Sequence, residues 1–268
     1  MIPYLLSVPP GTEVHSPAPS TLAWQSCLAC AALPKCFTGC MGKLDNAVPD
    51  ALLQGRRRIG RHQSLYNAGE RLALLCQVRY GQFKVVALDP MGEPRVIGFY
   101  MAGDLIGIDA LATGRHQYRA VALEDSEVCE ISYAGLEAAM TASPAMQRQF
   151  IQCLGHAAIA DSATATFMSN MRCEQRLGYF LLNLASRYAE LGYSSKSFRL
   201  NMSRADIGSY LGITPESVSR LLGRFKHNGW ISVRHREVVI DDREQLLMLL
   251  RADPGHASTA AGLHTVVQ

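Results

Sequence analysis

Between residues 57 and 133, short apolar runs are broken by turn residues at Asn67 to Gly69, Tyr80-Gly81, Asp89 to Gly92, Ala102 to Asp104, Thr113-Gly114 and Glu124 to Ser126. The runs at 83–88, 96–100 and 128–131 are rich in β-branched and aromatic residues, so this region predicts a small all-β sandwich or jelly roll. From 144 to 171 the turn residues nearly vanish. Met146, Phe150, Cys153, Ala157, Asp161, Thr164, Met168 and Met171 recur there every three or four residues, which predicts one long helix with a heptad-like seam. The seam is weakened by alanine and threonine and places Asp161 among its contact positions. Two such helices pairing would oppose like charges; the alternative is that Asp161 faces water on a helix packed against its own domain.

Residues 172–251 mix helical periodicity with one hairpin, and a Gly/Ala/Ser/His tail follows at 252–268 that reads as flexible. Ser203-Arg204-Ala205-Asp206 has the form of a helix N-terminus, with Ile207, Tyr210 and Leu211 on one face. Gly212 permits a tight turn. Thr214 can cap a second helix that has Pro215 at its first position and Val218, Leu221, Leu222 and Phe225 as its buried face. This is helix-turn-helix spacing. Asn228-Gly229 ends the second helix, and 230–233 with 237–240 read as a hairpin wing carrying Arg234 and Arg236 near its turn. The expected architecture is α+β: a cysteine-rich segment at 1–45, an N-terminal β-roll (jelly-roll) sensor domain at 46–140, a dimerisation helix at 141–171 and a C-terminal winged helix-turn-helix domain at 172–251.

Charge sharpens the reading of that last block. The formal charge of the 268 residues is only +3, yet 196–236 carry eight Lys/Arg against two Asp/Glu, a local +6 that leaves −3 for the remainder. On the outer face of the second helix, Arg220 could fork onto guanine, Glu216 could accept from cytosine, and Ser219 is short enough to admit a thymine methyl. A surface ion pair between Glu216 and Arg220 is the competing reading. Arg204, Arg224, Lys226 and the wing arginines suit phosphate contacts. One helix-turn-helix reads few bases, so a symmetric dimer on a palindromic site of double-stranded DNA is expected.

Hydrophobic residues make up 48% of the chain and charged ones 18%, enough for a real core. The longest uncharged run, 14–34, is broken by Pro17 and Pro19 and is no membrane span. The opening MIPYLLSVPP lacks the positive n-region of a secretion signal, so no membrane and a cytoplasmic location are expected. In that compartment the crowding of Cys27, Cys30, Cys36 and Cys40 reads as metal-binding or redox-active, whereas Cys76 and Cys153, alone among apolar residues, read as inert core. The four N-terminal cysteines could close a structural zinc site, and from spacing alone zinc and iron–sulfur weigh equally. No nucleotide-binding glycine fingerprint, hydrolase triad signature or metalloprotease motif is present, so an enzyme is not expected.

The order of elements, together with RADIGSYLGITPESVSRLLGRF at Arg204 to Phe225, FRLNMSR just before it and GFYMAGDLIGIDAL at Gly98 to Leu111, resembles the CRP/FNR family of transcription regulators, most closely its FNR branch. Glu216-x-x-Ser219-Arg220 is similar to the FNR recognition pattern, which in that family reads a palindrome like TTGAT-NNNN-ATCAA. The cyclic-AMP branch has an arginine at the position of Pro215 and a glycine at that of Ser219. That branch also binds its nucleotide through a carboxylate and an Arg-Ser pair, where this chain has Ile108 and His116-Gln117; Arg115 or Arg119 would have to substitute after a shift of register. The resemblance implies a [4Fe–4S] cluster on Cys27, Cys30, Cys36 and Cys129, with Cys40 as a departure that offers a second candidate fourth ligand. It further implies oxygen-dependent control, a homodimer while the cluster is intact, Asp161 as the dimer switch, and contact with RNA polymerase. The alternative within the family is a regulator whose zinc or haem site is structural or senses another signal.

Overall fold

The computed structural model describes residues 30, 32, 36, 37 and 52–251. Among the described residues eight strands form the roll: β1 (Leu53–Ile59), β2 (Ser64–Tyr66), β3 (Leu74–Tyr80), β4 (Gln82–Leu88), β5 (Pro94–Met101), β6 (Leu105–Ile106), β7 (Arg119–Ala122) and β8 (Ser126–Ser132). They make two antiparallel sheets, ordered β1-β8-β3-β6 and β2-β7-β4-β5. Side chains alternate between the faces of a strand. Cys76 and Val78 of β3, Val128 of β8, and Phe83 and Val85 of β4 accordingly fill the space between the sheets.

The opposite face of the first sheet carries a second core. Leu75 and Ile131 project there and pack against Leu136 of α1 (Tyr133–Ala142), against Met146 and Phe150 of α2 (Pro144–Asn170), and against Phe37 and Leu52. The long helix is thus pinned at its start. Met168 pins its other end by packing on the C-terminal core. Between these anchors α2 is uncovered, with Ile151 59% and Ile159 69% exposed. The heptad positions at the two ends serve their own chain, and of the middle ones Asp161 is exposed and Ala157 and Thr164 are half-buried among the described residues.

The C-terminal domain contains α3 (Cys173–Glu190), β9 (Ser197–Arg199), α4 (Arg204–Leu211), α5 (Pro215–His227), β10 (Ile231–Arg234), β11 (Glu237–Ile240) and α6 (Arg243–Arg251). Leu177, Leu181, Ile207, Val218, Phe225, Val238 and Leu246 share one buried core. Truncating a ring as enclosed as Phe225 costs roughly 3–5 kcal/mol. The expected hairpin is present, and β9 joins it as a third strand in the order β10-β11-β9. Among the described residues no helix is long and apolar enough to cross a membrane.

Candidate nucleic-acid interface and cysteine face

The local chemistry of 203–215 builds the helix-turn-helix. Ser203 and Asp206 cap α4 reciprocally, each side chain bonding the other's backbone amide. Gly212 ends α4 at φ 67°, a conformation that disfavours a side chain. Gly208 is equally specific, because a Cβ there would lie 2.6 Å from the Ile213 carbonyl oxygen and push the turn away from the helix. Thr214 then caps α5 through the Ser217 amide at 3.2 Å, with Pro215 at the first helical position.

On α5 the residues Glu216, Ser219 and Arg220 are all exposed. The Glu216 carboxyl is held below its usual range by its own backbone amide and the Thr214 hydroxyl, so it is a poised acceptor. Arg220 reaches Ser217 Oγ at 3.5 Å, and no ion pair joins it to Glu216, so the competing surface-pair reading is not realised among the described residues. Two of the expected phosphate contacts are less free. Arg224 is ion-paired with Glu174 of α3, and Arg204 is half-buried, its pKa lowered by burial and by the charge of Arg236. The Arg204–Arg236 proximity is a concentration of positive charge that a phosphate would relieve.

The second candidate site is the outer face of β8 and β3. Cys129 sits opposite Gln77 on one side and Arg56 on the other. One step along the same face lie Arg58, Glu127 and Arg79, with Glu127 accepting from Arg79 at 2.7 Å and from Arg58 at 3.4 Å. Burial pulls the Arg79 pKa down, but the Glu127 hydrogen bond and charge, together with the Cys30 and Cys129 thiols, more than offset it and raise it. One guanidinium therefore lies within electrostatic reach of both cysteines. Cys36 and Cys129 are buried and Cys30 is half-buried. Among the described residues no three His, Cys, Asp or Glu side chains converge closely enough to hold a metal ion; Cys27 and Cys40 lie outside the described residues. Next to Cys36, Phe37 plugs the outer core edge-on to Phe150 of α2, with ring centroids 5.4 Å apart.

The sequence reading missed Phe37 and Gln77, and it took Arg79 only as part of an exposed turn, Arg79-Tyr80-Gly81, offered to RNA polymerase. The signal was there in LLCQVRY, where the polar residues at 77 and 79 share one face of a strand whose other face, at 76 and 78, is apolar. Cys76 meets its expectation as a core thiol, pushed up to about 11 by burial, whereas Cys153 is only half-buried at the edge of the outer core. Asp161 stands exposed on α2, yet loss of surrounding water pushes its carboxyl above the usual range, and its charge is felt by Tyr100 and Tyr210.

The segments compared above with a cyclic-nucleotide site are folded onto one another. Tyr66 stacks on His116 with ring centroids 3.7 Å apart, and the Asp109 carboxylate accepts from the Tyr66 hydroxyl and from the Gln117 and Tyr118 amides. Arg115 is committed to the Gly69 carbonyl and Arg119 to the Ser64 hydroxyl.

A β-roll joined by a long helix to a winged helix-turn-helix defines a DNA-binding transcription regulator. Residues 175–249 match the model of the Crp-like helix-turn-helix domain, and residues 56–143 that of the cyclic nucleotide-binding domain. The chain is 35% identical over 212 residues to the fumarate and nitrate reduction regulatory protein of Escherichia coli (strain K12), covering 79% of this chain and 83% of that one. It is 40% identical over 201 residues to the transcriptional regulatory protein btr of Bordetella pertussis, covering 75% and 83%. The structure of FixK2 from Bradyrhizobium japonicum matches with a TM-score of 0.66 at 24% identity, over 73% of this chain and 96% of that one. The chain belongs to the CRP/FNR family of transcription regulators, and it is not an enzyme.

Proposed function

We propose that the chain is an oxygen-responsive regulator of FNR type, acting in the cytoplasm on anaerobic gene expression. Cys27, Cys30, Cys36 and Cys129 are its candidate ligands for a [4Fe–4S] cluster. Supporting this reading above all is the 35% identity to the fumarate and nitrate reduction regulatory protein, together with the place of Cys129 on the outer face of β8, directly opposite the buried Gln77. Thiolates are soft donors suited to iron. The Arg79 cation on that face and the buried donors Gln77 Nε2 and Arg79 Nε, both without a partner among the described residues, fit a sulfur-rich anionic group. When bound, the cluster supplies an oxygen-labile tie between the N-terminal segment and the roll.

The chain's own residues carry the consequence. With the segment held on β8, Phe37 stays seated against Phe150 and fixes the start of α2. The uncovered middle of α2 then pairs with a second copy, and Asp161 at that seam sets the threshold by opposing association. Two recognition helices held together read both halves of a TTGAT-N4-ATCAA-like palindrome, Glu216, Ser219 and Arg220 at the bases, and Arg204 and Arg224 at the phosphates, the latter released from Glu174. Exposed parts of the roll contact RNA polymerase. A hundredfold change in the active population requires only about 2.7 kcal/mol.

The test is the visible spectrum of anaerobically purified protein before and after air, with binding to the palindrome measured on the same samples. A broad iron–sulfur band that bleaches in air together with loss of DNA binding is the expected result. A colourless, zinc-containing protein or a sharp haem band would overturn the cluster assignment and leave a family regulator with another signal.

A further inference from the structure

We infer that Gln77 donates a hydrogen bond to the sulfur atoms held at Cys129 and thereby sets how readily the cluster is lost in air, an inference that rests on the cluster reading above. Gln77 is 1% exposed in the middle of β3. Burying a carboxamide is costly unless its groups are satisfied, and it has two donor hydrogens to satisfy as well as its oxygen. The oxygen is used: Oε1 accepts from the Phe37 amide at 3.0 Å. That bond also fixes the orientation of the group, because a flipped carboxamide would set its NH2 against the Phe37 N–H. The NH2 end, Nε2, is buried and has no hydrogen-bond partner among the described residues.

Register places this orphan donor beside sulfur. Gln77 and Cys129 are directly opposed on antiparallel strands, so their side chains leave the same face with Cβ atoms about 5 Å apart. The flanking pair on that face, Leu75 and Ile131, is apolar, so a leucine at 77 would extend the same core but leave the Phe37 amide without its acceptor. One carboxamide thus grips the residue after Cys36 with its oxygen and keeps its N–H groups unspent on the strand face that carries Cys129. Hydrogen bonds to sulfur withdraw electron density and raise the reduction potential of an iron–sulfur site, which slows its oxidative loss.

Two full-length variants test the donor by the potential and the grip by melting. Gln77→Met removes the donor and the acceptor without adding charge, while Gln77→Glu keeps an acceptor for the Phe37 amide and, as a buried carboxyl beside an anionic group, holds a proton that restores a donor. Each is purified without oxygen and measured for iron and sulfide content, midpoint potential, and the lifetime of the visible band in air, with thermal melting of the metal-free protein as the folding control. Gln77→Met should load iron and sulfide, melt below the wild type for want of the Phe37 acceptor, show a lowered potential and bleach about fivefold faster, the size of one ordinary net hydrogen bond, and Gln77→Glu should restore both potential and lifetime. If Gln77→Met matches the wild type in potential, Gln77 is a grip only and the donor assignment is overturned while the cluster stands. A wild-type chain without iron and sulfide overturns the cluster reading and this one with it.

Discussion

Phe37→Ala should unseat the N-terminal segment while leaving the roll intact. The ring is 3% exposed and packs with Leu52, Leu75, Ile131, Leu136, Met146 and Phe150, the last edge-on. Phe→Ala at such a site costs roughly 3–5 kcal/mol, of which about 0.5–1.5 belongs to the aromatic pair. At ~1.4 kcal/mol per decade, about 3 kcal/mol shifts the seated-to-unseated ratio by roughly a hundredfold. The amide of residue 37 reports this directly, since it is bonded to Gln77 Oε1. Hydrogen exchange should run roughly a hundredfold faster at that amide in the metal-free variant, with the Val78 and Val128 amides unchanged. If the residue 37 amide keeps its protection to within about threefold, the ring is not what seats the segment, and its role in steadying α2 fails with it.

Arg220→Ala should weaken binding to the palindrome by about 1–3 kcal/mol and relax preference at one base, whereas Arg234→Ala should weaken all sequences alike and reduce the salt slope by about 1, both read by titration of labelled duplexes. Asp161 carries a carboxyl raised by loss of water already in the single chain, and in a dimer it would also meet the like charge of its counterpart, so the penalty of the ionised form on association is present above its pKa and is relieved as pH falls through it. Sedimentation should therefore show the dimer strengthening as pH falls from neutrality toward that pKa, and Asp161→Ala should dimerise and bind DNA in air without this contribution; a monomer that ignores DNA refutes the switch. Asp206 behaves oppositely. Burial raises its carboxyl, but hydrogen bonds from Lys84 and Ser203 outweigh this and lower it, so its contribution is present above the ordinary carboxylate pKa and lost as pH falls through the folded one. Lys84→Ala should cost about 1–2 kcal/mol at neutral pH and flatten the acid limb of thermal stability; parallel acid limbs in variant and wild type would refute the link.

The helix-turn-helix was legible because its determinants are local: caps at Ser203 and Thr214, a glycine in the turn, and apolar spacing on α5 lie within 25 residues and agree with one another. The strand pattern of the roll was legible for the same reason. Strand β9 was not, because a three-residue strand has too few positions to show a period and exists only through its pairing with β11. The cysteine face was half legible. Spacing groups Cys27, Cys30 and Cys36, but the distant Cys129 joined them only through family resemblance, and the Gln77 and Arg79 beside it depend on strand register. Arg224 shows the converse error: a free cation in the sequence is, in the fold, tied to Glu174 some fifty positions away.

The β4–β5 hairpin holds the DNA-binding domain by several dissimilar bonds. The Val96 amide donates to Ser209 Oγ at 2.9 Å, Lys84 pairs with Asp206, Phe99 lies edge-on to Tyr210, and the Phe99 carbonyl accepts from Arg187. Helix α4 is thereby bolted to the strands, and α5 is bolted to α4 through the Gly208 contact. The recognition helix therefore has its bearing set by the sheet and not by the connection at Met171. In a dimer the separation of the two reading heads becomes a calliper reading of the rolls, so a strain of a few degrees in β5 would be paid at the DNA as a misfit in half-site spacing.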